Sequence, residues 1–402
     1  MSTTTATTIT PVDPKAAREV ELARLFTDIM RVRSVSGEET ALADMIEAFL
    51  RGCSHLRVHR HGDTVVATNK AGRERGVILA GHIDTVPVIG NFPPVLLEPS
   101  DPRIDESIAS AYPGESVMWG RGATDMKASD AVLLYLAATV VDPQFDLTFV
   151  FYDHEEVAAQ YNGLRVTLEA HPEWIRGDFA IIGEPTDGVI EGGCNGTMRF
   201  DVITHGVAAH SARAWMGRNA IHLAGGILDR LRDYTPRDVT VDGLVYREGV
   251  NATMISGGTG TNVIPNECRV HVNYRFAPDK TLAQAKALMM GQDAGVELDN
   301  GEHAATGGMF AGFGIEMHDE SPSARPGLDA PLTRSLVQLV EQRTGQTPRA
   351  KLGWTDVARF SALGIPAINL GAGSPLFAHK ADEQIAMGEL SRMESVLRVW
   401  LS

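Results

Sequence analysis

Short apolar runs that end abruptly in polar residues recur along the first half of the chain. Residues 76–84 (GVILAGHID), 147–156 (LTFVFYDHEE) and 178–186 (DFAIIGEPT) each contain an apolar run that leads directly into acidic or histidine side chains. Such runs predict strands that are buried on both faces. Residues 17–32 have apolar positions at helical spacing, and residues 126–141 are small and apolar throughout, so both predict helices. We therefore predict an open α/β sheet whose chemistry lies beyond the carboxyl ends of its strands.

The hydrophobic pattern changes near residue 191. Two segments then alternate apolar and polar residues, which predicts strands with one solvent-facing side, and two others have helical spacing. These strands are predicted at 197–204 and 267–276, and the helices at 218–234 and 281–290. The α/β pattern resumes with a helix at 332–345 and a strand at 365–373. We therefore predict an interrupted catalytic domain, with residues 1–190 as its first part, 191–320 as an inserted α+β domain and 321–402 as its second part.

Composition narrows the class of protein further. With 36 basic and 51 acidic residues the formal charge is −15, which argues against nucleic acid or an anionic membrane as a partner. The three cysteines form no CxxC pair, so neither a disulfide framework nor a cysteine-based zinc site is expected, and a cytoplasmic location is favoured. No apolar stretch approaches the length of a membrane helix. The Thr-rich residues 1–15 lack the apolar region of a secretory signal and are predicted to be a frayed tail.

Polar residues with metal-binding potential follow the predicted strands. His82 and Asp84 lie two residues apart on an extended chain, so both side chains face the same way and the carboxylate can orient the imidazole. The alternative is a surface histidine beside a solvated aspartate. Asp125, in GRGATDMK, opens a predicted helix. It is therefore either the N-cap of that helix or a carboxylate whose two oxygens bridge two cations.

Three glutamates and a second histidine complete the set. The adjacent Glu155 and Glu156 point apart on an extended chain, so one can bind a metal while the other reaches a water. On a solvated loop, such a pair would carry no functional meaning. Glu184, in GEPT, and His379, in AHKADE, are weak signals when each is taken alone. Together, two histidines, one aspartate and two glutamates form a ligand set that suits Zn²⁺, with Co²⁺ or Mn²⁺ as alternatives.

The order and spacing of these five motifs, from about residue 20 onward, resemble the M20 metallopeptidase and deacylase family. That family includes succinyl-diaminopimelate desuccinylase, acetylornithine deacetylase, aminoacylase-like enzymes and glutamate carboxypeptidases. The resemblance implies a zinc-exopeptidase-like catalytic domain, with a mixed sheet flanked by helices, interrupted by a ferredoxin-like lid that often dimerises. It also implies two Zn²⁺ ions, one of them replaceable by Co²⁺ or Mn²⁺, and a cis peptide bond after Asp125.

The resemblance also assigns a role to the polar residues of the five motifs. Glu155 is expected to be the general base that takes a proton from the attacking water, and Asp84 is expected to orient His82. The expected metal ligands are His82 and Glu184 on one ion, Glu156 and His379 on the other, and Asp125 bridging both.

Residues of the insert resemble functional positions of the family too. His210, in HGVAAHS, resembles a lid histidine that reaches the partner subunit's active site and helps to stabilise the oxyanion, and Asn262, in TNVIP, resembles a polar residue delivered in the same way. Arg275, in NYR, resembles an arginine that pairs with a substrate carboxylate. The structural alternatives are, in order, a surface turn, a loop hydrogen bond and an ion pair. Gly353 and Thr355 are expected to frame the substrate pocket.

Within the family, the motifs GRGATDMK, GGCNGT and GWTD most resemble succinyl-diaminopimelate desuccinylases of the actinobacterial type. The resemblance implies that a homodimer hydrolyses the small molecule N-succinyl-LL-2,6-diaminopimelate to succinate and LL-diaminopimelate. Cys194-Asn195 stands where many desuccinylases have a basic cluster, and Leu352-Gly353-Trp354 replaces their Gly-rich stretch, so the acyl specificity stays open. The alternatives are an acetylornithine deacetylase or another N-acyl-amino-acid hydrolase, and a non-catalytic relative that binds metal or substrate.

Overall fold

The computed structural model of the chain describes residues 8–69, 71–291, 296–297 and 303–402. Residues 1–7, which belong to the predicted N-terminal tail, lie outside the described residues. Within the described ranges, no helix has both the length and the apolar character needed to cross a bilayer.

The secondary-structure elements are labelled in chain order. The α-helices are α1 (Arg18–Met30), α2 (Thr40–Arg51), α3 (Glu106–Ala111), α4 (Ala128–Thr139), α5 (Gly163–Ala170), α6 (Ala220–Asp233), α7 (Leu282–Met290), α8 (Pro331–Thr344), α9 (Val357–Ala362) and α10 (Gly388–Leu401). The strands are β1 (Arg57–His61), β2 (Thr64–Asn69), β3 (Gly76–His82), β4 (Val95–Leu97), β5 (Val117–Trp119), β6 (Asp146–Tyr152), β7 (Phe179–Ile182), β8 (Glu191–Gly192), β9 (Gly196–His205), β10 (Ala209–His210), β11 (Asp238–Val241), β12 (Leu244–Arg247), β13 (Gly249–Gly257), β14 (Val263–Ile264), β15 (Glu267–Phe276), β16 (Val296–Glu297), β17 (His303–Ala304), β18 (Gly314–Ser321), β19 (Arg349–Ala350), β20 (Ala367–Asn369) and β21 (Gln384–Ala386). Irregular helical turns span Ala123–Lys127 and Ser211–Met216.

The first of two compact units is built around a mixed sheet. It is made of the described residues within Met1–Gly192, Gly327–Arg349 and Arg359–Ser402. The strand order of its main sheet is β1-β2-β6-β3-β7-β20-β8-β19. Strands β6, β3, β7 and β20 run parallel to one another. Strand β2 pairs antiparallel with β6, and β8 pairs antiparallel with β20. The predicted α/β class with a mixed sheet is therefore confirmed.

The central strands of this sheet are apolar because they and the helices bury their side chains in one shared hydrophobic core. Strands β3 and β6 are buried along all but their first residue, and β7 is buried throughout. Leu25 of α1, Leu133 of α4 and Leu397 of α10 belong to the same core cluster. The predicted strands at 76–84, 147–156 and 178–186 are confirmed, and so are the predicted helices at 17–32 and 126–141.

The second unit is a separate α+β domain made of the described residues within Gly193–Pro326 and Ala350–Ala358. Its antiparallel sheet has the order β13-β15-β9-β18-β17-β16. Along the chain, β9, α6, β13, β15, α7 and β18 form the βαββαβ arrangement of ferredoxin-like domains, as predicted for the insert. Strand β15 alternates buried and partly exposed residues, because one face packs against Ile227 of α6 and Met289 of α7.

Candidate metal centre

Parallel strands bring several of the predicted site residues to one edge of the main sheet. His82 is the last residue of β3 and pairs in register with Tyr152, the last residue of β6. Glu155 and Glu156 follow β6 almost at once, so the chain carries them past the same edge as His82. The carboxyl ends of parallel strands are where open α/β sheets place their chemistry, and the structure follows that rule here.

Glu184 reaches the same edge on the other side of β3. Ile182, at the end of β7, pairs with Ala80 of β3, and the Gly183 N–H donates to the Ala80 carbonyl oxygen over 2.8 Å. Glu184 therefore lies just past the end of β7, at the same edge of the sheet where the neighbouring strand β3 ends at His82. Its side chain is buried, at 7% exposure.

The two carboxylate oxygens of Asp125 each face a different histidine. His82 Nε2 lies 3.1 Å from Asp125 Oδ1, and His379 Nε2 lies 3.3 Å from Asp125 Oδ2. His379 Nε2 is also 2.9 Å from Glu156 Oε1. Ligand atoms of His82, Asp125 and Glu156 all lie within 4.8 Å of one another. Four of the five predicted ligands, which are far apart in sequence, are therefore gathered in one cluster.

The orientation of His82 is fixed through its second ring nitrogen. His82 Nδ1 lies 3.0 Å from the backbone carbonyl oxygen of Asp84 and 3.5 Å from the Asp84 carboxylate. The nearer acceptor is thus the carbonyl group, although the sequence pattern pointed to the carboxylate. With the proton on Nδ1 held by this carbonyl group, Nε2 is the nitrogen that can bind a metal once the proton it shares with Asp125 is lost.

The carboxylate of Asp84 instead holds the chain that carries the two glutamates. The Glu155 N–H donates to Asp84 Oδ1 over 2.9 Å, and the Glu156 N–H donates to Oδ2 over 3.1 Å. The Ser36 hydroxyl also donates to Oδ2, over 2.6 Å. Since both backbone N–H groups are held by one buried carboxylate, Glu155 and Glu156 have a fixed position relative to His82.

Glu383 supports Asp125 and was not identified from the sequence. The N–H groups of Thr124 and Asp125 donate to Glu383 Oε1 over 2.9 and 3.1 Å, and Arg121 Nη1 donates to Oε2 over 2.7 Å. Arg121 and Glu383 are both buried. The peptide bond between Asp125 and Met126 is cis, as the family resemblance implied. No local pattern links Glu383 to Asp125, because the two residues meet only in the folded chain.

Electrostatics in the cluster favour ionised carboxylates and a positive charge between them. Hydrogen bonds to Asp125 and Glu156 raise the pKa of His379 to about 10. Burial acts to lower the pKa of His82, but its contacts with Asp125 and Asp84 raise it well above the ordinary value. Burial acts to raise the pKa of Asp125, and hydrogen bonds from the two histidines nevertheless hold it below the ordinary value. A group of carboxylates that stabilises added protons in this way is also suited to a metal cation.

The backbone at His379 has an uncommon conformation. Its φ of 64° lies in the left-handed region, and its imidazole is 55% exposed on the loop between β20 and β21. A non-glycine residue in such a region costs about 1–3 kcal/mol and is found preferentially at functional sites. The conformation directs His379 back toward Asp125 and Glu156 from a loop that is otherwise remote in sequence.

Two of the predicted residues of the insert are neighbours within the second unit. His210 of β10 pairs with Val263 of β14, and the Ser211 N–H donates to the Asn262 carbonyl oxygen over 2.9 Å. The His210 Nδ1 accepts a hydrogen bond from the Ala212 N–H over 3.1 Å, and the residue is exposed. The two residues are therefore presented together on the surface of this unit.

Arg275 lies near the end of β15 in the same unit. Burial, together with the nearby charge of Arg199, lowers the pKa of Arg275 below its ordinary value. Among the residues that the structure describes, no carboxylate forms an ion pair with its guanidinium group. The alternative of a structural ion pair is thus without support in the described part of the chain.

Gly353 and Thr355 lie in the piece of chain that joins the second unit from its C-terminal side. Thr355 is buried, and its carbonyl oxygen accepts from the Cys194 Sγ–H over 3.7 Å. The intervening Trp354 donates from Nε1 to the Pro322 carbonyl oxygen over 3.1 Å. Among the residues that the structure describes, a Cβ added at Gly353 would meet no atom within 4 Å, and the backbone there does not have the positive φ that favours glycine.

Comparison with known proteins gives consistent relatives over nearly the whole chain. Residues 193–291 match the model of a peptidase dimerisation domain of the M20 type. The chain is 42% identical over 383 residues to a Mycobacterium tuberculosis protein provisionally named as the succinyl-diaminopimelate desuccinylase DapE, covering 95% of this chain and 97% of that one. It is 39% identical over 381 residues to the succinyl-diaminopimelate desuccinylase of Corynebacterium glutamicum, with 93% and 94% coverage.

Solved structures share the fold at much lower sequence identity. The Bacillus subtilis protein YXEP, described as a dinuclear metal-binding peptidase of the M20 family, matches with a TM-score of 0.63 and 16% identity. The match covers 95% of this chain and 97% of that protein. At this level of identity the comparison concerns the fold.

Proposed function

The chain belongs to the M20 family, and from that premise we propose that it hydrolyses N-succinyl-LL-2,6-diaminopimelate to succinate and LL-diaminopimelate with two bound metal ions. The main support for the proposal is the position of His82 and His379, each of which contacts a different carboxylate oxygen of Asp125. The activity named for the two relatives at 42% and 39% identity supports the choice of substrate.

The donor set fits two zinc ions. We propose that His82 and Glu184 hold one ion, that Glu156 and His379 hold the other, and that Asp125 bridges both. Imidazole and carboxylate donors suit Zn²⁺, and one ion is replaceable by Co²⁺ or Mn²⁺. The chemistry that two bound ions would supply is polarisation of the scissile carbonyl group and a lower pKa of the attacking water.

The protein's own part in the reaction is proton transfer and positioning. Glu155 takes a proton from the attacking water and later delivers it to the leaving amine. Asp84 keeps Glu155 in place by accepting its N–H over 2.9 Å. His210 of the partner subunit, with Asn262 beside it, donates to the oxyanion of the tetrahedral intermediate.

We assign substrate recognition to the inserted domain and to the segment Ala350–Ala358, which belongs to the same unit. The substrate carries carboxylates, and the overall charge of −15 gives them no long-range attraction. Arg275 therefore supplies the local positive charge, because a guanidinium group binds a carboxylate through two hydrogen bonds. Gly353 and Thr355 line the same pocket.

We further propose a homodimer formed through the inserted domain. Strand β13 is an edge of its sheet, and its Met254 and Ile255 are 64% and 55% exposed. Helix α6 exposes Ile221 and Leu228. An unpaired edge with exposed apolar side chains is a surface that a second copy can cover. The three free cysteines agree with the proposed cytoplasmic location.

The substrate is tested by turnover of N-succinyl-LL-2,6-diaminopimelate against N-acetylornithine with purified, zinc-loaded protein. The proposal predicts a clear preference in kcat/KM for the succinyl substrate. A variant with Arg275→Lys should raise KM, since lysine cannot form the two-pronged contact, and should retain bound zinc. A preference for acetylornithine would contradict the proposed substrate, and the proposed metal chemistry would not be affected by that result.

A further inference from the structure

A second group of metal-ligating side chains lies on the sheet of the inserted domain. It consists of Asp201 on β9, His271 on β15 and His318 on β18, here called the sheet-face cluster. His271 Nδ1 is 2.8 Å and His318 Nε2 is 3.1 Å from the same oxygen, Asp201 Oδ1. One ligand atom from each of the three residues lies within 4.8 Å of the other two. Asp201 and His271 are partly buried, and His318 is exposed.

The strand register assembles this cluster. Asp201 pairs directly with His271 on one side and with Glu316 on the other. Strand β18 then has a bulge at His318, which is the extra residue in its pairing with β9. Glu316 and His318 lie two residues apart on β18, so the alternation of side chains places His318 on the same face of the sheet as Asp201. At the bulge, Arg199, the next β9 residue on that face, pairs with Asp319, which leaves His318 without a directly opposite residue on β9.

The spacing of the cluster resembles that of the candidate metal centre. The two histidine-to-aspartate distances are 2.8 and 3.1 Å here, against 3.1 and 3.3 Å at the metal centre. Ligand bonds of about 2.0–2.1 Å in a tetrahedral site place neighbouring donors roughly 3.3 Å apart. Two of the three donor separations are already close to this value, and the third, between the two histidines, is below 4.8 Å.

Charges around the cluster also favour a cation. Arg269 lies 3.5 Å from Asp201 Oδ2, on the oxygen that the histidines do not contact. Its charge is offset by ion pairs with Glu267 and Glu316. Three carboxylates therefore surround one guanidinium group.

We propose that the sheet-face cluster binds one divalent transition-metal ion, with Zn²⁺ as the representative, apart from the two ions of the catalytic centre. Two imidazoles and one carboxylate form the ligand set of borderline ions such as Zn²⁺, Ni²⁺ and Cu²⁺, and Mg²⁺ or Ca²⁺ would prefer oxygen donors. The ion connects β15, β9 and β18. It therefore stabilises the sheet whose edge strand, β13, is proposed to form the dimer interface.

Zinc counting on the full-length protein tests this site. The protein is stripped with a chelator, dialysed against a fixed free Zn²⁺ concentration and measured by elemental analysis. The wild type should bind one more Zn²⁺ per chain than the His318→Ala variant. His222→Ala is the matched control, because it removes an exposed histidine outside the cluster and should bind as much zinc as the wild type. Equal binding by wild type and His318→Ala overturns the proposal, and so does an equal loss in the two variants.

A second comparison separates this site from the catalytic centre. Asp125→Ala should lose the catalytic ions and keep one Zn²⁺, which the Asp125→Ala/His318→Ala double variant should lose. In the Asp125→Ala background, added Zn²⁺ should raise the thermal unfolding midpoint, and the double variant should show no such shift. No zinc-dependent difference between these two proteins would refute the sheet-face site, whatever the outcome for the catalytic ions.

Discussion

At the scale of single residues, Asp84 determines where the proposed base stands. Its two carboxylate oxygens accept the N–H groups of Glu155 and Glu156 over 2.9 and 3.1 Å, and its carbonyl oxygen lies 3.0 Å from His82 Nδ1. One buried residue thus positions the proposed base and two proposed ligands. A role of this kind affects catalysis through geometry, without contact with the substrate.

Substitution of Asp84 by asparagine tests this role. The amide offers one acceptor oxygen for two N–H donors, and its NH₂ group would face the other donor. We expect kcat to fall about 10–100-fold, the usual effect of losing a group that orients metal ligands. Ser36→Ala is the control, because it removes only the hydroxyl donor to Asp84 Oδ2. Wild-type kcat in Asp84→Asn would contradict the positioning role.

The raised histidine pKa values predict how metal binding depends on pH. Hydrogen bonds to carboxylates raise the pKa of His379 to about 10, and against the effect of burial they raise that of His82 above its ordinary value, so both histidines favour the protonated form in the metal-free protein. Zinc must displace these protons, and its affinity should therefore rise as pH increases from 6 toward 9. Calorimetry in buffers of different ionisation enthalpy would measure the released protons. Affinity that does not change with pH would contradict these protonation states.

At the scale of elements, the sequence predicted the parts that follow simple periodicity. The buried runs that became β3, β6 and β7 and the alternating run that became β15 were found, because burial on two faces or on one leaves a direct pattern. The hairpin of β1 and β2 was not predicted, since β1 has the polar sequence RVHRH. The support of Asp125 by Glu383 was missed for a different reason, as their contact spans 258 positions of the chain.

The packing of α4 near β3 depends on a glycine at position 81. A Cβ there would lie 2.2 Å from Asp130 Oδ1 and 2.7 Å from the Met126 side chain, next to the metal centre. We expect Gly81→Ala to lower the free energy of unfolding by about 1–3 kcal/mol, measured by urea denaturation. Gly225→Ala on α6 is the control, because its Cβ would meet no atom within 4 Å. Equal stability of the two variants would show that this close approach is unimportant.

At the scale of the whole molecule, the sequence predicts the fold class and the cluster of candidate metal ligands better than it predicts the oligomeric state. The residues proposed to carry the catalytic chemistry lie in five motifs that can be read from the sequence, whereas a subunit interface depends on which apolar residues are left exposed after folding. Met254 and Ile255 show such exposure only in the structure. The dimer is therefore the part of the proposal that needs its own experiment.

Substitution of Ile255 by lysine tests the proposed dimer. A charge on the edge strand β13 should prevent pairing of two sheets and give a monomer in light scattering. Val245→Lys is the control, because Val245 is also 55% exposed but lies on β12, outside the main sheet of this unit. Activity should fall with the dimer, since we propose that His210 acts on the partner's active site. A fully active monomer would contradict the role of His210 in the partner.

The central claim is that two ions share Asp125 while Glu155 activates the water. Its most direct test is turnover of N-succinyl-LL-2,6-diaminopimelate by Glu155→Gln, with the bound zinc of the same sample counted by elemental analysis. The account predicts unchanged zinc at the catalytic centre and a kcat that is lower by about 10²–10⁴-fold, the usual contribution of a general base. Near-normal turnover with the zinc in place, or loss of the zinc together with activity, would contradict it.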